Sequence, residues 1–472
     1  MPIDLDPVAV LNAILRTDLS SFIQRSFATV APGSAYQHNW HIDAIAYQLE
    51  RVARGENTRL IITMPPRSLK SIAASVAFPA WLLGLDPRMR ILAVSYAEGL
   101  SEKHALDCLK VIEAPWYRAC FPATRIAKGR GGRADFETTK GGGRFSTSIG
   151  GTVTGRGGDI IVLDDPHKPE EAMSEVKRQQ VIDWYRTTLL SRLNDPMSGP
   201  IVLIQQRVHE ADLAGVLLEQ GDWQHLDLQA IAEEPVEICL GRRGVIQREE
   251  GHLFHPQRLP RDLLERLRQE LGSYVFAAQY QQRPAPLEGG LVKWNWFKTY
   301  VDLPVQHPGD QIVQSWDTAS KADEANDYSV CTTWLVRGAD AWLVDLYRAR
   351  LEYPDLRKCI CDEAARHKAT SVLIEDAGSG TQLIQELKRT TRLNVIGIRP
   401  KDDKATRLMA VTPSIEAGRT AIPAEAPWLA DFRRELTFFP NGKFDDQVDS
   451  LTQFLTWLGK PKHRSGLVRF PI

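Results

Sequence analysis

Short apolar runs, each ending in polar or acidic residues, recur along the chain and predict its elements. Leu60-Ile61-Ile62, Arg90 to Tyr96, Ile160-Ile161-Val162-Leu163 and Ile201-Val202-Leu203-Ile204 read as buried strands. Between them Ile72 to Ala77, Ala97 to Cys108 (capped near Ser101) and Glu170 to Leu193 read as helices, and this alternation predicts an α/β fold on a mostly parallel sheet. Residues 1 to about 55 are predicted helical, with Val8, Leu11, Ile14 and Leu15 on one face and Ile45, Leu49 and Val52 on another. Residues 210 to about 285 mix helix and short strands, and Arg283-Pro284-Ala285-Pro286-Leu287-Glu288-Gly289-Gly290 reads as a linker. Beyond it Ile312 to Asp317 is a strand, with Tyr328 to Val336 and Ala341 to Tyr347 as antiparallel neighbours. A helix over Pro354 to His367, a strand over Ser371 to Asp376, a helix to Leu387 and a last helix begun by Lys443 to Leu451 complete a mixed sheet.

Composition narrows the class. With 472 residues, 43% hydrophobic and 25% charged, the chain is long and apolar enough for two or three cored domains. The expected division is a helical lead-in over 1–55, a first domain over 56–283 with a lid or linker region from about 210, a linker over 284–310 and a second domain over 311–472. A net charge of -1 does not decide the partners, because basic residues can gather on one face while acids balance them elsewhere. Six cysteines lie scattered without metal-ligand spacing, as reduced packing residues of a cytosolic protein. The acidic start Met1 to Val10 lacks the features of a signal peptide, and no apolar run is long enough to span a bilayer, so secretion and membrane insertion are not expected.

Chemistry concentrates first after the strand at Leu60. Met64-Pro65-Pro66-Arg67-Ser68-Leu69-Lys70-Ser71 falls where a P-loop would, with Lys70 placed to reach β/γ-phosphates and Ser71 to hold Mg²⁺. Met64 and Leu69 stand at the two glycine positions of that motif, so the same residues also fit a plain Pro-Pro turn. The strand Ile160 to Leu163 ends in Asp164 and Asp165, about ninety residues downstream, where one carboxylate can hold Mg²⁺ and the next orient water. Together the two patterns point to an NTPase. Gln206, ending the next strand, is either a γ-phosphate sensor or a surface residue. Tyr36-Gln37-His38-Asn39-Trp40-His41 either contacts an adenine ring or packs in the core. Arg118 to Gly158, with Arg125, Lys128, Arg130, Arg133, Lys140 and Arg144 among glycines and Phe136 and Phe145 interleaved, either tracks a phosphate backbone or is a solvated hairpin.

A second constellation lies beyond the linker. Asp317 and Glu375-Asp376 end strands, and Asp445-Asp446-Gln447-Val448-Asp449 opens the last helix. Three acidic stations in this order suit an RNase H-like nuclease in which two divalent ions stabilise the attacking and leaving oxygens of a phosphodiester. Asp445 and Asp449 share a helix face, and like charges so close need a cation, so one or two of Asp445, Asp446 and Asp449 are expected to ligate metal.

Taken together, the residues resemble the large subunit of tailed-bacteriophage terminases. The likeness rests on Met64 to Ser71, on Thr154-Gly155-Arg156-Gly157-Gly158 running into Leu163-Asp164-Asp165-Pro166-His167, and on Gln206-Arg207-Val208-His209-Glu210-Ala211-Asp212-Leu213. It continues through Gln279 to Pro284, Trp316-Asp317-Thr318-Ala319, Asn326-Asp327-Tyr328-Ser329, Ile374-Glu375-Asp376 and Phe444 to Asp449. The resemblance implies an N-terminal P-loop ATPase and a C-terminal RNase H-like nuclease, using ATP with Mg²⁺ in the first and two divalent ions, Mg²⁺ or Mn²⁺, in the second. It implies nucleotide binding by Pro66, Arg67, Ser68, Leu69, Lys70, Ser71, Asp164 and Gln206, with Ser71 and Asp164 on Mg²⁺ and Asp165 polarising water where the family usually has Glu. Arg67 and Arg156 are the two candidates for a charge-stabilising arginine. In the nuclease it points to Asp317, Glu375 and Asp446, with Asp445, Asp376, Asp449 and Asp327 close by. Its implied partners are double-stranded DNA, a portal protein, a small terminase subunit and further copies of the chain in a docked ring, in the cytoplasm of a bacterial host and transiently at the procapsid portal. Two other readings stay open: a docking subunit left by a decayed prophage, its ATPase impaired by Leu69 and Asp165, and a helicase-nuclease of DNA repair.

Overall fold

The computed structural model describes residues 6–131, 135–153, 155–284, 290–318, 328–442 and 444–460, with the side chains of 128–131 left out. The chain divides into two compact units, Met1–Pro286 and Leu287–Ile472.

The first unit is built on an eight-stranded sheet. Its strands are β1 (Arg59–Thr63), β2 (Arg90–Ser95), β3 (Ile126–Gly131), β4 (Phe136–Thr138), β5 (Gly143–Ser148), β6 (Ile160–Asp164), β7 (Ile201–Gln205) and β8 (Gln224–Asp227), in the order β3-β4-β5-β2-β6-β7-β1-β8. From β5 to β8 all neighbours are parallel, while β3, β4 and β5 pair antiparallel. Continuous apolar runs make the inner strands β1, β2, β6 and β7 because both sheet faces are covered there. Leu60 and Ile62, Ile160 and Val162, Val202 and Ile204 enter one core, whereas Ile61, Ile161, Leu163, Ile201 and Leu203 enter the other. Side chains of alternating residues point to opposite faces, so each run feeds two cores. A separate hairpin, β9 (Val236–Cys239) with β10 (Val245–Arg248), and a helix over Arg261–Gln279 broken at Gly272 follow.

Several sequence expectations change here. The helix expected from Ala97 runs Glu98–Glu113 and carries Ser101 buried inside it rather than at its cap. The helix expected over Glu170–Leu193 is Glu175–Trp184, prolonged by short π and 3₁₀ turns. Of the apolar face predicted for the first helix, only Leu15 is buried; Val8, Leu11 and Ile14 are exposed. Much of the basic glycine-rich stretch is sheet. Phe136 is core and Arg144 is fully buried, donating to Ser146 Oγ and to the Ser75 carbonyl at 3.3 Å, so neither is available to a nucleic acid. Arg133 and Thr154 lie outside the described residues.

The second unit holds a seven-stranded mixed sheet. It consists of β11 (Lys298–Tyr300), β12 (Gln311–Asp317), β13 (Ser329–Arg337), β14 (Asp340–Ala349), β15 (Ser371–Glu375), β16 (Val395–Ile398) and β17 (Thr420–Pro423), ordered β11-β17-β14-β13-β12-β15-β16. The segment 284–310, expected as linker, thus supplies an edge strand, since Lys298–Tyr300 pairs parallel with β17. β12 lies between β13, to which it is antiparallel, and β15, to which it is parallel. The helix Asp446–Leu458 is fastened onto β12. Ser450 Oγ donates to the Ser315 carbonyl at 2.8 Å, Ser315 Oγ to the Ser450 carbonyl at 2.8 Å, and Gln453 Nε2 to the Trp316 carbonyl at 3.2 Å. Phe454 stacks on Trp334 with centroids 4.4 Å apart. Small hydroxyls at the contact let helix and strand approach closely, which is what carries the acids of that helix to the end of β12.

Candidate functional sites

In the first unit β7 lies between β1 and β6, so the loop after β1, the acids ending β6 and the polar end of β7 meet at one carboxyl edge. The loop turns without glycine: Arg67 (φ 57°) and Leu69 (φ 65°) both adopt left-handed backbone. Such a conformation costs a non-glycine residue about 1–2 kcal/mol. Leu69 offsets part of that by packing against the core. Lys70 Nζ lies 2.8 Å from Asp165 Oδ1 and 2.7 Å from its Oδ2. Ser71 Oγ donates to Asp164 Oδ1 at 3.1 Å, and Ser75 Oγ to Asp164 Oδ2 at 2.8 Å. Asp165, itself left-handed at φ 44°, accepts the Gln206 amide at 2.9 Å.

Burial pushes both carboxyl groups of Asp164 and Asp165 upward, and the Lys70 ammonium opposes that shift. His104, 3.5 Å from Asp164 Oδ2, is lowered to about 4 by burial and then by Arg144, so it faces the acid as neutral imidazole. Pro66 to Ser71, Asp165 and Gln206 line a cleft of about 850 Å³. Beside it, a cavity of about 310 Å³ shares Pro66, Arg67, Ser68 and Leu69 and adds Gln37, His41, His255 and Tyr280. Of the early aromatic and amide cluster, Gln37 and His41 therefore face a cavity, while Tyr36 packs on Phe27 and Trp40 on Phe254. His41 Nε2 donates to the Ser68 carbonyl at 3.3 Å, tying this segment to the loop.

Arg67 is exposed and lines both spaces. Arg156 is elsewhere, paired with Asp135 and 5.8 Å over the Phe145 ring. The oxygens of Ser71 and Asp164 are a donor set suited to Mg²⁺ and Lys70 to phosphate, and the buried amide oxygen of Gln206 has no partner.

In the second unit, pairing of Trp316 with Ile374 sets Asp317 and Glu375 side by side at the ends of β12 and β15. Burial raises Asp317 well above the ordinary carboxylate range, and the charges of Asp449, Glu375 and Asp446 raise it further. Asp446 is pushed up to about 6, first by burial and then by Glu435 and Asp445. Asp317 and Glu375 end neighbouring strands, and the acids of the last helix are accompanied by cations. Lys404 Nζ is 2.7 Å from both Asp445 Oδ1 and Asp449 Oδ2. Arg407 is 2.8 Å from Asp449 Oδ1 and 3.6 Å from Glu375 Oε2. Arg348 is 3.9 Å from Asp446, 3.5 Å from Glu435 and 4.0 Å over the Tyr328 ring. Asp376 accepts from Thr381 Oγ1 at 2.7 Å, and Asp327 lies outside the described residues.

Sequence reading missed Lys404, Arg407, Arg348 and Glu435. The one signal was the dense charge of Lys401-Asp402-Asp403-Lys404, which also suits an exposed turn. A further group, Asp345, Glu363 and His367, is the only described trio whose ligand atoms all lie within 4.8 Å of one another. Arg366 stands 3.6 Å from Asp345 and 3.3 Å from Glu363, so an exposed guanidinium accompanies both carboxylates.

The first unit is an α/β unit on a mostly parallel sheet and the second carries a mixed sheet. Residues 314–457 match the family model of the terminase RNase H-like domain. Solved structures similar to this chain include the large terminase from the thermophilic bacteriophage D6E, at 13% identity over 87% of this chain and 98% of that one, with a TM-score of 0.49. The HK97 bacteriophage large terminase aligns at 11% identity over 93% and 99%, with a TM-score of 0.35. The large terminase nuclease of thermophilic phage G20c with bound magnesium aligns at 15% identity over 36% and 98%, with a TM-score of 0.29. Comparison with curated proteins yields no match. Among the described residues no helix is long and apolar enough to cross a membrane.

Proposed function

We propose that the chain is a DNA-packaging motor subunit: it hydrolyses ATP to move double-stranded DNA into a viral procapsid and cleaves concatemeric DNA with a metal-dependent nuclease. One observation carries the reading. A stretch matching the terminase RNase H-like domain is joined, in the same chain, to a sheet edge where Lys70, Ser71 and Asp165 line one cleft and Ser71 bonds the buried Asp164 behind it.

In the ATPase, Lys70 exchanges Asp165 for the nucleotide's phosphates, and Ser71 with Asp164 holds Mg²⁺. Released from Lys70, Asp165 becomes the acceptor that orients water. Gln206 senses the γ-phosphate, because it lines the cleft, its backbone N–H donates to Asp165 and its buried side-chain oxygen has no partner. Arg67 supplies charge to the transferring phosphate from the same loop, and Arg156 remains a candidate only for a neighbouring subunit. The 310 Å³ cavity beside the loop receives the base, against Gln37 and His41. In the nuclease, Asp317, Glu375 and Asp446 are the ligand set for a divalent metal, which supplies positive charge to the phosphate being attacked. Asp445 and Asp449 are held by Lys404 beside it. The portal protein, a small terminase subunit and other copies of the chain are the proposed partners, with the motor docked at the portal in the host cytoplasm.

The test is steady-state ATP hydrolysis by the full chain with Mg²⁺, with and without linear duplex DNA, beside nicking of plasmid DNA with Mn²⁺. Hydrolysis lost in Lys70→Ala and nicking lost in Asp317→Asn, each without loss of the other, is the expected result. Absence of ATP turnover under every condition, portal included, would overturn the motor reading.

A further inference from the structure

One row across the sheet of the second unit carries polar groups that the proposed activities do not use. Gln314 on β12 pairs with Thr333 on β13, and Thr333 with Asp345 on β14. Beside Asp345 the register slips, Thr333 facing Asp345 and Trp334 facing Leu343, so Val344 is the extra residue of a bulge, a feature that re-aims neighbouring side chains. The helix Tyr353–His367 is tied to this row, Gln314 Nε2 donating to the Glu363 carbonyl at 3.0 Å. Glu363 and His367, four residues apart at the end of that helix, share a face.

Each of the two carboxylates has one oxygen held by a donor and the other turned to the imidazole. Asp345 Oδ1 accepts the Leu346 amide at 2.9 Å and the Trp428 indole N–H at 3.2 Å, while its Oδ2 lies 3.2 Å from His367 Nε2. Glu363 Oε1 accepts from Arg366 at 3.3 Å, while its Oε2 lies 3.4 Å from the same Nε2. Nε2 carries at most one hydrogen, so a hydrogen bond satisfies one of these oxygens and not both. A cation among them satisfies all three atoms. Ligands about 2.0–2.1 Å from a tetrahedral ion stand about 3.3–3.4 Å from one another, close to the spacing of Nε2 from both oxygens. The ligand atoms of this trio all lie within 4.8 Å of one another. The C-terminal end of the helix dipole favours positive charge at the same place.

We infer that Asp345 Oδ2, Glu363 Oε2 and His367 Nε2 form a binding site for one divalent transition-metal cation of the zinc type, which clamps the end of the helix Tyr353–His367 to β14. An imidazole among the ligands selects against Mg²⁺ and Ca²⁺, which take oxygen ligands, and suits Zn²⁺. Trp428 is a positioning residue: its indole N–H holds the non-ligating oxygen of Asp345, as outer partners do in metal sites. Arg366, 62% exposed and 3.6 Å from Asp345 Oδ2, competes for that oxygen and swings into solvent as the ion enters. The site shares no residue with the proposed ATPase and nuclease centres and stands independently of both readings.

The experiment is Co²⁺ titration of the metal-free full chain, followed by the visible absorption of low-coordinate Co²⁺, with Zn²⁺ and Mg²⁺ as competitors. Wild type, His367→Gln, Asp345→Asn, Trp428→Phe, Arg366→Gln and Asp317→Asn are compared, each with a thermal melt in the absence and presence of Zn²⁺. The wild type is expected to take up one Co²⁺ that Zn²⁺ displaces and Mg²⁺ does not. The band persists in Asp317→Asn and is lost in His367→Gln and Asp345→Asn. Trp428→Phe weakens affinity about tenfold, the effect of losing one outer partner, and Arg366→Gln tightens it. Zn²⁺ raises the melting temperature of the wild type and of Arg366→Gln but not of His367→Gln. If the cluster is an ion pair alone, no band depends on His367 and Zn²⁺ leaves the Arg366→Gln melt unchanged; either result overturns the inference. A band kept in His367→Gln and lost in Asp317→Asn overturns it as well, by putting the ion in the nuclease centre.

Discussion

Lys70→Ala tests the first site most directly, because the structure says what is left behind. The variant strips the ammonium from 2.7 Å beside Asp165, whose side chain is 20% exposed, and from the neighbourhood of Asp164, which is 1% exposed. Breaking a buried pair by removing one partner costs about 3–5 kcal/mol. For a unit of this size that corresponds to a fall in melting temperature on the order of 10 °C. The loss depends on pH. Burial already raises both carboxyl groups, so their folded pKa values exceed the unfolded ones; stability from this source is greatest at low pH and declines as pH rises through the folded values. Without Lys70 those values rise further, and the deficit relative to wild type shrinks on moving from pH 8 towards pH 5. Adding Asp165→Asn to Lys70→Ala removes the orphaned charge and restores most of the lost stability at pH 8. Differential scanning calorimetry across that range, with ATP turnover measured in parallel, checks both effects. A double variant no more stable than Lys70→Ala would refute the claim that Lys70 and Asp165 are an energetically coupled pair.

Other consequences follow from the same geometry. Leu69→Gly releases roughly 1–2 kcal/mol of left-handed strain and keeps ATP turnover at or above the wild-type rate, whereas Leu69→Val, β-branched in that conformation, lowers it; initial-rate kinetics of the two variants decide. Burial pushes Asp446 up to about 6, and as the proposed metal ligand it must be ionised, so the expected Mn²⁺ affinity by calorimetry increases as pH rises from 5 to 7 and levels off above. Ser450→Ala deletes a fully buried hydroxyl that joins the last helix to β12, costing about 1–3 kcal/mol and lowering nicking while ATP hydrolysis stays at the wild-type rate. Equal loss of both activities in that variant would show that the hydroxyl does not act locally.

What the sequence determined by itself was the set of elements with strong local signals. Unbroken apolar runs ending in acids, such as Ile160 to Asp165, are legible because a strand covered on both faces must be apolar throughout, and because a fold places chemistry at strand ends. The order of strand, antiparallel pair, helix, strand and acidic helix was legible in the second unit for the same reason. Tertiary structure alone decided three things. Arg144 lies in the core although its glycine-rich neighbours read as solvated, because β5 pairs with β2, fifty residues earlier in the chain. The loop after β1 turns through Arg67 and Leu69 without glycine, because packing against the core holds a backbone conformation that local preference disfavours. And Lys404 and Arg407 enter the acidic centre from a helix, Lys404–Glu416, whose apolar residues Leu408, Met409 and Val411 do not tell where its charged end lies. Charged residues on a helix face look alike in sequence whether they meet water or carboxylates; only the fold, by bringing Asp445 and Asp449 to 2.7 Å from Lys404, assigns the partner.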